Sequence, residues 1–168
     1  MQEEIFDIVD ENDRVVGQAP RAKVHADKLR HRAVHILVRD PAGRVFLQKR
    51  SETKDNHPGL WDSSCSGHVD SGEDYADAAV RELGEELGIA VSEPLRLILS
   101  IPSNEETGYE FLRVYTRTHE GPVHPDPEEI SDGRWLDPGE IDRWILRSPE
   151  ELSPAFRLVW RLSAMQSR

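Results

Sequence analysis

The order of extended and helical segments along this 168-residue chain predicts an α/β fold, in which a mixed β-sheet is sandwiched between helices. Short runs of extended character fill the first third, and an amphipathic helix follows them near the middle. Further extended runs come after that helix, so strands lie on both sides of it. Two helical segments close the chain and provide a second covering layer.

The strands before the central helix are apolar runs bounded by turn residues. They are expected at EIFDIVD, DRVVGQAP, RAVHILVRD and VFLQKR. The turn PAGR, residues 41–44, should join the last two as a hairpin. A polar loop, SETKDNHPGLWDSSCSGHVDSGE, then leads into the helix.

After the central helix, strands are expected at LRLILSIPS and GYEFLRVYTRT. A Pro-rich acidic loop, HPDPEEISDG, precedes a short strand at RWLD, a helix near PGEIDRWIL and a last helix around PAFRLVWRLSAM. Apolar residues recur at helical spacing in the last helix and are expected in the core: Phe156, Val159, Trp160 and Leu162.

Length and charge limit the classes of protein that this chain represents. Residues 1–168 are most simply one domain, long enough to bury a core without disulfides or a structural metal. The net charge of −11 and the lack of a basic stripe exclude a nucleic-acid duplex as the expected partner. A small phosphorylated ligand still fits, because a bound divalent cation reverses the local sign of charge.

Targeting and redox signals are sparse in this sequence. The single cysteine, Cys65, allows no intramolecular disulfide. The start MQEEIFDIVDENDR lacks a basic region followed by an apolar segment, and no run is apolar enough to span a membrane. A cytoplasmic protein without a membrane partner is therefore expected.

The central helix is expected over about 74–87, with Asp74 as its N-cap and Gly88 at its C-terminal end. Its buried stripe should be formed by residues at the 3.6-residue period: Ala76, Val80, Leu83 and Leu87.

Three acids, Glu82, Glu85 and Glu86, stand at i, i+3 and i+4 on a neighbouring face of the same helix. Like charges at this spacing repel one another, and Arg81 can pair with only some of them. The cluster is either a tolerated surface feature or a site for a cation. Hard cations such as Mg²⁺ require several carboxylates converging from one rigid element.

The helix and the loop before it together resemble a complete Nudix box, the loop–helix motif of the Nudix hydrolase superfamily. The matching pattern reads Gly67, five residues, Glu73, seven residues, then Arg81, Glu82, Leu83, Gly84, Glu85, Glu86, Leu87, Gly88 and Ile89. The later pattern of Glu129, five residues and Trp135 is similar to the turn that follows the family's sheet. The resemblance covers almost the whole chain and implies the Nudix fold.

This resemblance also implies roles for individual residues. Glu82 and Glu86 are expected to be the principal Mg²⁺ ligands, with Glu85 as a further or outer ligand; Mn²⁺ is an alternative ion. The region of Gly67 is expected to contribute a backbone carbonyl ligand. Arg81 belongs to the catalytic set and, together with Glu73, is expected to orient the acids.

Similar proteins hydrolyse a diphosphate bond in a nucleoside diphosphate linked to another group. The general base has three candidates, Glu82, Glu110 and Glu129, because the family places this residue variously in the box or in a later loop. Nucleoside triphosphates, sugar diphosphates, dinucleotides and prenyl or coenzyme diphosphates all remain as substrates. A homodimer is common among similar proteins.

A second resemblance, to the branch of the superfamily around isopentenyl-diphosphate isomerase, implies a rival function. That branch uses a cysteine directly before Gly-His and a histidine-rich metal site, and His25, His31 and His68 fall near the corresponding positions. Here Ser66 precedes Gly-His, and Cys65 should face the opposite side of an extended segment as a small buried residue. A nucleotide sensor without turnover is the third hypothesis.

Overall fold

The computed structural model describes residues 2–166 and confirms the α/β class, with a mixed sheet between helices. The expectation of one domain over residues 1–168 extends at both ends beyond the described residues and stays a prediction. A helix long and apolar enough to cross a membrane is not found among residues 2–166.

An N-terminal hairpin forms a small sheet of its own. Strand β1 (Ile5–Val9) pairs antiparallel with β2 (Val15–Pro20), and the short helix α1 (Arg21–Ala26) follows directly. Asp7 in β1 accepts hydrogen bonds from the Ser71 hydroxyl at 2.7 Å and the Gly72 amide at 3.1 Å. The hairpin thereby fixes the loop that leads into the central helix.

The main sheet has seven strands, and all of its pairings are antiparallel except that of β3 with β8. The order β5-β4-β3-β8-β7 forms its main path, while β6 pairs with β3 and β9 pairs with β4. The strands are β3 (His31–Arg39), β4 (Val45–Arg50), β5 (Trp61–Asp62), β6 (Cys65–His68), β7 (Arg96–Ile101), β8 (Glu110–Thr118) and β9 (Ile130–Leu136).

Helices cover both faces of this sheet, because the side chains of β3 alternate between two apolar cores. Val34, Ile36 and Val38 pack in the core under helix α2 (Tyr75–Leu87). Ala33 and Leu37 point the other way, into the core formed with the C-terminal helices. These are α3 (Pro138–Arg147) and α4 (Pro154–Gln166), joined by a 3-10 turn at Pro149–Glu151.

Helix α2 begins and ends as predicted, with Asp74 at the N-cap and Gly88 in the left-handed conformation at the C-cap (φ 66°). The predicted buried stripe was wrong at Ala76 and Val80, which are only partly buried. The helix is rotated so that Ala78 and Ala79 face the sheet instead. This rotation directs Glu82 and Glu86 inward.

The sequence did not predict the short elements α1, β5 and β6. Both strands lie inside the segment that was predicted to be a loop, and they are two and four residues long. Strand β9 also begins earlier than expected, at Ile130. The predicted β3–β4 hairpin pairs only at its turn, through Arg39 and Val45, because β6 takes the place beside β3.

Candidate active site

Strand β6 lies at the centre of the site because its residues alternate between the two faces of the sheet. Gly67 faces helix α2, and a methyl group on its Cα would overlap the Glu82 carboxylate. His68 points to the opposite face, towards Glu110 and His31. Two groups of potential metal ligands therefore lie on either side of one short strand.

The first group contains Glu82 and Glu86, one helical turn apart on α2. Glu82 lies against the bare Cα of Gly67 and accepts a hydrogen bond from Arg81 at 2.8 Å. Burial, partly offset by Arg81, raises the pKa of Glu82 to about 7. The carboxylate is thus costly to ionise unless a cation stabilises it.

Glu86 is buried more deeply, with 6% of its surface exposed. Its carboxylate accepts a hydrogen bond from the Gln48 amide at 2.7 Å. Burial and the charge of Glu82 raise the pKa of Glu86 well above its usual range. Glu82 and Glu86 are therefore two largely buried carboxylates in one site, next to a glycine. Such oxygen ligands suit a hard divalent cation.

Glu85 differs from its two neighbours, because 62% of its side chain is exposed. It contacts Arg81 at 3.2 Å and lines the edge of the same cavity. The outer role expected of Glu85 from the sequence stays a prediction.

Arg81 connects the loop to the helix. Its guanidinium donates to Glu73 at 2.8 and 2.9 Å, to Glu82 at 2.8 Å and to the His68 carbonyl at 3.0 Å. The hydrogen bonds to Glu73 are the strongest of the causes that raise the pKa of Arg81. These contacts link Arg81 to two acids and to the backbone of β6, and its orienting role stays a prediction.

Lys54 faces the acids from the opposite wall. Its ammonium forms an ion pair with Glu129, whose side chain is 39% exposed. Burial lowers the pKa of Lys54, although the nearby Glu86 and Glu82 charges act in the other direction. Arg50 lies on the same wall and contacts Asp62 at 3.4 Å. Positive side chains thus border the carboxylates.

The three acids of α2 and the cationic side chains around them line one open cavity of about 1030 Å³, which also contains Glu110, Glu129 and Gly67. This volume is enough for a ligand of nucleotide size.

The second group consists of four side chains whose ligand atoms all lie within 4.8 Å of one another: His25, His31, His68 and Glu110. They come from α1, β3, β6 and β8, so only the folded chain brings them together. The Phe6 ring from the hairpin stacks on His68 with centroids 4.6 Å apart and backs the group.

His31 indicates that a cation fits this group. Its Nδ1 lies 2.8 Å from the Leu29 carbonyl, which can only accept, so the ring proton is on Nδ1. The lone pair on Nε2 then faces Glu110 Oε1 at 3.4 Å, and this buried nitrogen has no hydrogen bond with any residue from 2 to 166. Two acceptors in one group are a donor set that would hold a cation.

The titration behaviour of the group agrees with this interpretation. Burial and the neighbouring rings of His68 and His31 lower the pKa of His25 to about 4, so its ring is neutral at pH 7. Although burial raises it, the adjacent rings of His31 and His68 hold the pKa of Glu110 well below its usual range. The neutral imidazole of His25 and the ionised carboxylate of Glu110 are ligand forms.

Ser66 and Cys65 separate as the sequence predicts. Cys65 is fully buried in the core under α2, and burial raises the pKa of its thiol. Ser66 lies on the other face and lines the cavity. The thiol therefore does not face the cavity.

Gln48, Lys54 and His35 belong to the site but were not predicted from the sequence. Gln48 and His35 are polar residues at inward positions of otherwise apolar strands, and that interruption is a usable signal. Lys54 lies in a polar loop where no pattern distinguishes it.

Comparison with known proteins identifies the class. The model of the NUDIX domain matches residues 29–157, and the chain belongs to this family. Nudix proteins are pyrophosphatases that typically use divalent metal ions, so the chain is a Nudix hydrolase acting on diphosphate-containing substrates.

Individual relatives carry two different names. The chain is 40% identical over 165 residues to an uncharacterized Nudix hydrolase of Streptomyces coelicolor, covering 95% of this chain and 91% of the relative. It is 37% identical over 154 residues to an isopentenyl-diphosphate Delta-isomerase of Nocardia farcinica, covering 88% and 87%. A crystal structure from Deinococcus radiodurans superimposes with a TM-score of 0.81 and 30% identity, covering 98% of this chain and all of that one.

Proposed function

We propose that this protein hydrolyses, with Mg²⁺, a diphosphate bond in a nucleoside diphosphate linked to another group or in a similar organic diphosphate. The observation that carries the proposal is the inward-facing pair of Glu82 and Glu86. Both acids have raised pKa values, and they lie beside a glycine that leaves space for Glu82.

The residues that would hold the ion are Glu82, Glu86 and the Gly67 carbonyl, with Glu85 at the outer edge. These residues would hold an ion whose charge would neutralise phosphate oxygens and lower the pKa of a water molecule; Mn²⁺ has similar ligand preferences. Arg81 holds Glu82 against the strand while Gln48 fixes Glu86. Lys54 and Arg50 would bind further phosphate oxygens from the opposite wall.

Glu129 is the best-supported of the three candidates for the general base. Glu82 is largely buried between Arg81 and Gly67, and Glu110 lies in the histidine group with a hydrogen bond to His68. Glu129 is paired with Lys54, but its side chain is 39% exposed at the cavity, where a water molecule can reach it.

We also propose that the group of His25, His31, His68 and Glu110 binds a second cation. Three imidazoles and one carboxylate favour Zn²⁺, Mn²⁺ or Fe²⁺ over Mg²⁺. The resemblance to the isomerase branch supports this site, whereas the position of Cys65 disfavours that branch's reaction. A homodimer, which is common among similar proteins, stays a prediction.

The decisive experiment is a screen of nucleotide and non-nucleotide diphosphates with Mg²⁺ or Mn²⁺, in which the products identify the bond that breaks. Turnover that depends on the ion and is lost in Glu86→Gln supports the proposal. Nucleotide binding without any turnover supports the sensor hypothesis. Conversion of isopentenyl diphosphate to its allylic isomer supports the isomerase hypothesis.

A further inference from the structure

His35 is a buried histidine on the cavity wall that belongs to neither group of potential metal ligands. It lies on β3 directly opposite Ser66 of β6, and both residues line the cavity. Only 4% of its surface is exposed. An imidazole at an inward position of an apolar strand is costly unless its nitrogens have partners.

The ring is held by a chain of buried groups. Its Nδ1 lies 2.7 Å from the Ser63 hydroxyl. The Ser63 amide donates to Asp62 at 2.8 Å, and Asp62 is paired with Arg50 at 3.4 Å. Ser63 is itself fully buried. The orientation of the imidazole is therefore fixed before any ligand binds.

This chain also determines which ring nitrogen carries the proton. Among the described residues, the Ser63 hydroxyl has the His35 Nδ1 as its hydrogen-bond partner, and a buried hydroxyl proton requires an acceptor. Asp62 lies 3.9 Å from Nδ1, too far for a hydrogen bond. The hydroxyl thus donates to Nδ1, and the ring proton is on Nε2.

Nε2 forms no hydrogen bond with any residue from 2 to 166. Small side chains flank His35 on the two strands. Ser66 is its neighbour across the strands, and Ala33 lies two residues before it on β3. Ser153 and Ala155 line the same cavity.

We propose that His35 is a substrate-binding residue whose Nε2–H donates a hydrogen bond to an oxygen of the group linked to the diphosphate. The site therefore selects hydroxylated groups, such as a ribose or another sugar, over prenyl chains. This inference rests on the proposed hydrolysis, because it concerns the part of the substrate that does not react.

The test compares His35→Leu, His35→Gln and wild type on ADP-ribose and UDP-glucose against isopentenyl diphosphate. Leu removes the donor, whereas Gln keeps an N–H at similar reach. We expect His35→Leu to lower kcat/KM for the sugar compounds about tenfold, mainly through KM, and Gln to restore most of it. Isopentenyl diphosphate should bind no worse to the Leu variant.

His119→Leu is the matched control, since the His119 ring bonds the Pro122 carbonyl of its own loop and is not among the described residues that line the cavity. Equal losses for sugar and prenyl compounds in His35→Leu, or no loss at all, would overturn the proposal. Thermal melting of each variant identifies misfolding. If His35→Leu is misfolded, the comparison is made between His35→Gln and wild type.

Binding measured with Ca²⁺ in place of Mg²⁺ distinguishes this proposal from the proposed hydrolysis. If wild type binds the sugar compounds but does not turn them over, hydrolysis fails, and the ratio of Kd values between variants still tests His35. If wild type binds neither sugar compound while it binds isopentenyl diphosphate, the inference about His35 is wrong.

Discussion

At the level of single residues, Glu82 and Glu86 are matched in chemistry but differ from Glu85 in burial. Replacing either one by Gln keeps its size and removes a charge that a cation needs. We expect turnover to fall at least about 100-fold, a loss near 3 kcal/mol of transition-state stabilisation. Without Mg²⁺ the variants should melt no lower than wild type, because a buried charge is removed.

Glu85→Gln is the control, because its side chain is 62% exposed. It should reduce turnover less than about tenfold. Steady-state kinetics over a range of Mg²⁺ concentrations, together with thermal melts, separate loss of the ion from loss of the fold. Retained activity in both buried variants would place the metal elsewhere.

Cys65 and Ser66 distinguish the hydrolase from the isomerase. The thiol is buried under α2 and its pKa is raised, while the cavity carries a hydroxyl. We expect Cys65→Ser to keep nearly all diphosphatase activity, although a buried hydroxyl should cost about 1–2 kcal/mol of stability. No conversion of isopentenyl diphosphate to its allylic isomer is expected in either protein.

Product analysis by NMR measures the isomer directly. Cys65→Ala provides a matched variant without the buried hydroxyl, so a stability effect can be separated from a chemical one. Appearance of the isomer in wild type and its disappearance in Cys65→Ser would show that the thiol reaches the substrate.

At the level of elements, the site depends on the close approach of β6 and α2 at Gly67. Because a Cβ at this position would overlap the Glu82 carboxylate, Gly67→Ala should displace that side chain. We expect a loss of Mg²⁺-dependent turnover comparable to that of Glu82→Gln. The fold should survive, since Gly67 does not have a positive φ.

Gly84→Ala is the matched control within α2. Its nearest neighbour would be the Ile89 carbonyl at 3.9 Å, an ordinary contact. Ala is a better helix former than Gly, so this variant should be more stable by up to about 1 kcal/mol, with turnover unchanged. Isothermal titration with Mg²⁺ would contradict this account if Gly67→Ala bound the ion as well as Gly84→Ala.

Periodicity explains which elements could be predicted. Helix α2 runs for 13 residues with clear end signals, and its limits were predicted within one residue. Strand β6 has only four residues, and its extended conformation depends on hydrogen bonds to β3, which is distant in the sequence. Local pattern cannot specify such a strand, because the hydrogen bonds that form it come from another segment.

In the candidate site, too, the residues that are close in sequence could be predicted and those that are distant in sequence could not. The acids of α2 are contiguous in sequence, so a motif finds them. The fourth member of the histidine group, Glu110, lies 42 residues from His68 along the chain. Only the parallel register of β3 with β8, which sets Glu110 opposite His31, brings it there. Such proximity follows from topology and not from spacing.

At the level of the whole molecule, the acids of α2 make folding stability depend on pH. The pKa of Glu82 rises from 4.5 to about 7 on folding, so the folded state binds more protons than the unfolded state between these values. Stability from this group is complete below pH 4.5 and is lost as pH rises towards 7. The lowered pKa of His25 acts in the opposite direction below pH 6.5. Comparing wild type with Glu82→Gln separates the contribution of Glu82 to stability from that of His25.

We therefore expect the metal-free wild type to lose stability relative to Glu82→Gln as pH rises from about 5 to 7.5. The raised pKa corresponds to about 1–3 kcal/mol, or roughly 3–10 °C in Tm. Mg²⁺ should abolish this loss in wild type and have little effect on the variant, because the ion stabilises the ionised pair. Melting curves in EDTA and in Mg²⁺ measure both effects. Parallel pH profiles for the two proteins in EDTA would show that Glu82 ionises freely and that its burial does not oppose charge.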